Sequence, residues 1–247
     1  MRIGIVGQGG MLGREVARIA QEHGHDLSFS AHWASVGNEP EMFINCAGKR
    51  PGTCSDIDMI ENNSLWPHQL AAFNIPMIHM STDCVFGGHV RAIHSSRDHP
   101  DPADIYGRSK LLGEVDAPHV LNVRGSFIGK RHGFLAWLLE AKGTIKVWKN
   151  AYWNGTSVAG MAEELLSLAE SFNGSWPANV LHIASSTYMS KARMAMQLVS
   201  GLDLPISIEI VDKPYIWRVL EPDIELPPVE QMLDEIIYQQ VKEKANE

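Results

Sequence analysis

Short apolar runs alternate with amphipathic stretches over the first half of the chain. Ile3 to Val6 is an apolar run that ends in glycines, followed by Leu12, Val16, Ile19 and Ala20 at helical spacing with Gly24 as a stop. That is a strand, a turn and a helix. Leu27-Ser28-Phe29-Ser30, Met42-Phe43-Ile44-Asn45, Pro76-Met77-Ile78-His79-Met80 and Val120-Leu121-Asn122-Val123 read as further strands. Helices are predicted over 57–73 and 105–115. Such alternation calls for a parallel sheet covered on both faces. Ala31 to Glu41 is too short for a full crossover helix and predicts a loop or a single turn.

Beyond about Gly125 the pattern is less regular. Thr144 to Val147 reads as a strand, and Met161, Leu165, Leu168, Ala169 and Phe172 form a helix stripe behind a cap at Thr156 or Ser157. Strands at 180–183 and 206–211 and helices over 191–200 and after Pro227-Pro228 follow. Asp212 to Pro228 carries four prolines and no period, which predicts an ordered loop. The pattern predicts an α/β protein with a doubly wound parallel sheet and a small C-terminal lobe. Residues 1–150 form mainly the sheet domain, and 151–247 mix the lobe with segments that return to it.

Composition narrows the function. At 247 residues, 45% of them apolar, the chain buries enough surface to need no disulfide or metal staple. A net charge of −8 without long basic runs argues against nucleic-acid or anionic-membrane partners. Cys46, Cys54 and Cys84 have neither disulfide-framework nor zinc-site spacing. With no signal peptide and no span of about 18 apolar residues, the expected location is the cytoplasm. His89, His94 and His99 share a loop without helical spacing or a nearby cysteine, so they predict a polar loop and no metal.

Gly7-Gln8-Gly9-Gly10-Met11-Leu12-Gly13 joins a strand to a helix, where glycines and a helix N-terminus can receive a pyrophosphate. The residue types predict dinucleotide contacts at Gly7, Gly9, Gly10, Met11, Leu12 and Gly13. Cys46, Ala47, Gly48 and Lys49 after the third strand join them. The end of the second strand reads Ser30-Ala31-His32, with no carboxylate to repel a 2′-phosphate; His32, Lys49 or Arg50 can meet one. NADP(H) is therefore favoured over NAD(H).

Tyr106 and Lys110 lie four apart, on one face of a helix that Asp104 can cap. They follow the glycine loop, Asn45-Cys46-Ala47-Gly48 and Ser81-Thr82-Asp83, all at strand ends where open α/β sheets bind ligands. A carbonyl that accepts hydride develops negative charge on oxygen; Thr82 can stabilise it while Tyr106 supplies the proton. The Lys110 ammonium is expected to lower the tyrosine pKa and to reach the nicotinamide ribose. Arg124, at the end of the fifth strand and suited to a diphosphate, and Trp153 are expected to border a substrate pocket.

These segments, with Ser81-Thr82-Asp83-Cys84-Val85-Phe86 and Ile105-Tyr106-Gly107-Arg108-Ser109-Lys110-Leu111-Leu112-Gly113-Glu114, resemble the dTDP-4-dehydrorhamnose reductase family of extended short-chain dehydrogenases/reductases. The resemblance implies a Rossmann-type domain, NAD(P)H, nucleotide-linked 4-keto sugars as substrates and a Thr82, Tyr106, Lys110 triad. It adds Asp83, Val85 and Phe86 to the substrate-binding residues and leaves room for a homodimer. Cys84 stands where the family carries tyrosine, and the chain is shorter than family members. A nucleotide-sugar epimerase or dehydratase, or a regulatory subunit that uses the fold for binding, are the alternatives.

Overall fold

The computed structural model describes residues 1–28 and 39–246. In chain order the first half holds β1 (Arg2–Val6), α1 (Met11–Glu22), β2 (Asp26–Ser28), β3 (Met42–Asn45), α2 (Asp56–Ile60), α3 (Trp66–Ala71), β4 (Met77–Met80), β5 (Ile93–His94), α4 (Ile105–Leu112) and β6 (Val120–Gly125). There follow β7 (Phe127–Ile128), α5 (Phe134–Glu140), β8 (Gly143–Trp148), β9 (Ala151–Trp153), β10 (Thr156–Ser157), α6 (Val158–Glu170) and β11 (Val180–Ser185). The last elements are β12 (Met189–Ser190), α7 (Lys191–Gly201), β13 (Ile206–Val211), β14 (Ile216–Leu220), β15 (Ile224–Leu226) and α8 (Val229–Asn246).

Seven strands form one parallel sheet in the order β15-β11-β6-β4-β3-β1-β2. The chain leaves β1 toward β2 and resumes on β1's other side at β3. The order therefore reverses between β1 and β3, and an open sheet forms its ligand crevice beyond the carboxyl ends of such a pair. β3, β4 and β6 are buried along their whole length, as apolar runs sandwiched between two layers must be. On one face α1 and α6 supply Val16, Ile19, Met161, Leu165 and Leu166 to the core; on the other Leu70 packs with Phe43, Met77 and Val120. A separate core, with Leu135, Leu138, Val147, Leu198 and Leu233, holds α5, β8, α7 and α8 together as the smaller lobe. The fold is the Rossmann-type doubly wound sheet, and β11, α6 and β15 bring the second half of the chain back to it.

Two expectations need correction. The helix over 57–73 is interrupted by a π-helical turn, Glu61–Leu65, because Pro67 has no N–H to give the Asn63 carbonyl. The stretch 212–228 is not a loop: it carries β14, which joins a small sheet with β5 and β9, and β15 at the edge of the main sheet. Its prolines sit between strands rather than in them. The reading of His89 to His99 as loop needs one addition, β5, where His94 stacks on Phe86 with ring centroids 4.1 Å apart. His32, and the connection between β2 and β3 as far as residue 38, lie outside the described residues.

Candidate active site

The glycine turn is built around its lack of side chains. Gly7 has φ +81°, and a Cβ there would stand 2.6 Å from the Ala47 backbone nitrogen, so β1 and β3 close on each other only with glycine at this point. A Cβ on Gly13 would lie 2.4 Å from the Gly7 carbonyl oxygen, which fixes how near α1 approaches the turn. Gly9 faces open space. Gly10 caps α1 without a side-chain acceptor, so the first-turn N–H groups remain available to an anion. This cradle fits a dinucleotide pyrophosphate. The Leu12 side chain is spent on the core, which leaves its backbone for that role. Cys46 and Ala47 are half-buried beside the cradle, with Gly48 and Lys49 exposed.

The π-helical turn has a use here. It presents Asn63, whose Oδ1 accepts from the Lys49 N–H at 2.8 Å while Nδ2 donates to the Lys49 carbonyl at 2.9 Å and the Ser109 hydroxyl at 3.0 Å. One amide thus ties the loop after β3 to α4. Gly113 lets the Asn63 carbonyl in, since a Cβ there would stand 1.9 Å from it.

Asp104 caps α4 by accepting from the Gly107 N–H at 2.8 Å, as predicted, and Gly107 leaves room for the Cys84 carbonyl oxygen, 2.2 Å from where a Cβ would be. α4 therefore lies directly on the turn after β4. Thr82 caps that turn, Asp83–Val85; its hydroxyl accepts from the Cys84 N–H and donates to Asp83 Oδ1, both at 3.2 Å. Half-buried Tyr106 neighbours this turn. Burial raises its phenol well above the usual value, Cys84 and Asp83 add to the rise, and the Thr82 hydroxyl and Arg50 oppose it. Lys110 is 3% exposed and donates to the Met80 carbonyl at 2.7 Å. Burial lowers its pKa to about 8, against the pull of Glu114 and Cys46. The expected lowering of Tyr106 by Lys110 is absent from this arrangement: burial sets the direction of the phenol's shift, and the Lys110 ammonium donates to the Met80 carbonyl.

The proposed substrate residues divide. Asp83 is buried on the turn beside Thr82. The Val85 and Phe86 side chains have no exposed surface and pack with Ala184 and Leu220, so they support the turn rather than line an opening. Arg124 does reach the carboxyl end of β6, yet its Nε and Nη2 bind Glu114 at 2.8 and 2.7 Å; only buried Nη1 has no hydrogen-bond partner. Trp153 is 4% exposed in the smaller lobe's core, and the Lys191 ammonium lies 4.4 Å from its ring centroid.

Lys191 and Arg218 escaped the sequence reading. Lys191 opens α7 behind the Ser190 cap, its ammonium also 4.9 Å from the Phe134 ring, and it feels the charge of Asp83 and Cys84 across the cleft. Arg218 on β14 donates to Cys84 Sγ at 3.0 Å and pairs with Asp104 at 3.6 Å. Neither stands in a motif, and no periodicity marks a cation that arrives from a different lobe. A further cavity of ≈ 380 Å³, lined by Asn154, Ser185, Thr187, Tyr188 and Leu220, touches none of the triad residues.

A model of the RmlD substrate binding domain family matches residues 63–211. The chain belongs to this family. It is 28% identical over 235 residues to the probable low-salt glycan biosynthesis reductase Agl14 of Haloferax volcanii, with 74% of each chain covered. It is also 28% identical over 223 residues to a dTDP-4-dehydrorhamnose reductase of Mycolicibacterium smegmatis, covering 77% of this chain and 66% of that one. Among solved structures it resembles the Bacillus anthracis dTDP-4-dehydrorhamnose reductase in complex with NADP, with a TM-score of 0.82, 18% identity, and 96% of this chain and 99% of that chain covered. No helix among the described residues is long and apolar enough to cross a membrane.

Proposed function

We propose that this protein is an NAD(P)H-dependent reductase of a nucleotide-linked 4-keto sugar. The observation that carries the reading is the meeting, at the crevice between β1 and β3, of a side-chain-free cradle with Thr82, Tyr106 and Lys110. Gly7, Gly9, Gly10 and the first-turn N–H groups of Met11, Leu12 and Gly13 would hold the dinucleotide phosphates, and Cys46 to Lys49 would border its far side. NADP(H) over NAD(H) fits the sequence Ser30-Ala31-His32 after the second strand, which offers no acid, and the exposed Lys49 and Arg50 after β3.

When bound, the nicotinamide supplies the hydride. The chain's own work is to place and protonate. A phenol raised by burial stays protonated at neutral pH, which is the form that donates to the carbonyl oxygen as negative charge develops there. The Thr82 hydroxyl turns from Asp83 to give that oxygen a second hydrogen bond. Lys110 holds its ammonium at the floor of the crevice, beside Gly48 and Cys46, within reach of a ribose. Asp83 and Lys191, which face each other across the cleft, would form the substrate side, with Arg124 and Trp153 supporting it from behind through Glu114 and the Lys191 ammonium.

The test is NADPH consumption, followed by nicotinamide absorbance, with dTDP- and UDP-4-keto sugars. Stoichiometric oxidation with one sugar class supports a reductase. Sugar interconversion without net NADPH loss, on a retained NAD, would instead make it an epimerase.

A further inference from the structure

Away from the crevice, at the amino edge of the sheet, α1 and α6 end side by side. His23 and His25 flank Gly24 just after α1, and Glu170 is the last residue of α6. Gly24 has φ +79° with open space beside it, a turn that brings two alternate imidazoles to one carboxylate. His25 Nε2 lies 2.7 Å and His23 Nδ1 3.0 Å from the same oxygen, Glu170 Oε1. These three ligand atoms all fall within 4.8 Å of one another.

We propose that His23, His25 and Glu170 form a binding site for a divalent transition metal of the zinc class, which clips the end of α1 to the end of α6. Three features favour a cation here. Both helices point the negative ends of their dipoles at the cluster. Neither helix has a basic residue in its last turn; α6 ends in Glu170, while Glu22 at the end of α1 is already paired with Arg18. Glu163 Oε2 adds a second carboxylate, 4.0 Å from His23 Nε2, on the side from which an outer carboxylate orients a ligating imidazole.

The geometry needs little change. Tetrahedral zinc with bonds of about 2.0–2.2 Å separates its ligand atoms by roughly 3.3 Å. The two contacts to Glu170, at 2.7 and 3.0 Å, must open slightly, and the two imidazole nitrogens, which lie within 4.8 Å of each other, must settle at the same spacing. Two imidazoles and one carboxylate suit zinc, cobalt or nickel and not magnesium or calcium, with solvent in the fourth position. Ligation needs neutral imidazoles, so the metal competes with protons at both histidines. The site shares no residue with the proposed catalytic machinery; its role is to anchor the helix whose other end carries the glycine cradle.

The experiment is calorimetric titration and thermal unfolding of the chelator-treated full chain near neutral pH with ZnCl₂, with MgCl₂ as the control. One zinc equivalent should bind, and zinc at a hundredfold excess over its Kd should raise Tm by about 5–10 °C, with no effect of magnesium. Glu170→Gln and His23→Asn, both at partly exposed positions, should keep the metal-free Tm within a few degrees and abolish the zinc-induced rise. Cobalt should give a weak visible absorption of nitrogen and oxygen ligation without a thiolate charge-transfer band, separating this site from the three cysteines. Absence of saturable zinc binding, binding that survives both substitutions, or a thiolate band would each overturn the proposal. So would stabilisation that follows acidification alone, since the cluster would then hold protons and no metal.

Discussion

Glu114 holds Arg124 through two parallel hydrogen bonds, Nε to Oε1 at 2.8 Å and Nη2 to Oε2 at 2.7 Å. Both side chains are less than a tenth exposed, and the Ser81 hydroxyl donates to the same Oε1 at 2.6 Å. The pair joins the chain just after α4 to β6, beside the turn that follows β4. A buried pair of this kind is costly to break, because the remaining partner becomes an uncompensated charge. Glu114→Ala should therefore destabilise the protein by about 3–5 kcal/mol, measured by denaturant unfolding. Replacing both residues by apolar ones should cost clearly less than the sum of the two single changes. Additive losses would show that the two ions are solvated independently.

For Tyr106→Phe, only the phenolic proton is removed from a half-buried ring, so the fold and the cradle stay intact. Turnover should fall by about 10²–10⁴, the usual worth of a positioned general acid. The dissociation constant for NADPH, measured by fluorescence titration, should change less than threefold. A loss of only a few-fold in kcat would remove Tyr106 from the proton-donor role.

The cradle makes a sharper structural prediction. Gly13→Ala sets a methyl group 2.4 Å from the Gly7 carbonyl oxygen, where backbone must move, whereas Gly9→Ala meets nothing within 4 Å. Gly13→Ala should lower Tm and abolish dinucleotide binding together. Gly9→Ala should leave Tm unchanged and weaken only the dinucleotide, because its methyl projects into the space the phosphates would use. Calorimetric unfolding and nucleotide titration of the two variants separate these outcomes, and equal losses of stability would contradict the geometry.

Much of this arrangement was legible in the chain, for reasons that also explain the rest. β3 at Met42–Asn45 falls where its apolar run puts it, since a strand buried on both faces must be apolar. β13 at Ile206–Val211 follows its alternation, half-buried Ile206 and Ile208 with exposed Ser207 and Glu209 between and after them. Asp104 and Ser157 cap the helices they precede because capping is local chemistry. β14 was hidden by the prolines around it, although its alternate burial at Trp217 and Val219 is ordinary strand behaviour. The side-chain pairs were not legible at all. Glu114 meets Arg124 because the chain just after α4 reaches β6, and Lys191 meets Trp153 because α7 packs against β9; neither contact leaves a trace in spacing. Burial also reversed one inference about charge: four residues of separation put Tyr106 and Lys110 on one face, but the desolvation that lowers the lysine raises the phenol as well.

The last prediction concerns Lys191, half-buried at the start of α7. Its ammonium lies over the Trp153 and Phe134 rings, and no salt bridge engages it among the described residues. Burial lowers its pKa to about 8, with Asp83 and Cys84 holding it up. An ammonium kept beside two aromatic rings, facing the turn that carries Thr82, is placed to meet an anionic substrate group. Removing the charge should therefore raise the KM for a nucleotide-sugar by about tenfold, the worth of one charge-assisted hydrogen bond, with kcat and NADPH affinity nearly unchanged. The sign of the pH dependence follows from the depressed value. Below about pH 8 the group is charged and binds; above it the proton is lost and affinity for the anion falls. Calorimetric titration with an unreactive nucleotide-sugar from pH 7 to 9.5 should show weakening on the alkaline side for the wild-type protein and a flatter profile for Lys191→Met. Because Lys110 has a similar depressed value but faces the cradle, its effect should appear in NADPH binding instead. If Lys191→Met keeps both the wild-type affinity and the wild-type profile, the ammonium serves only to cover Trp153 and meets no substrate anion.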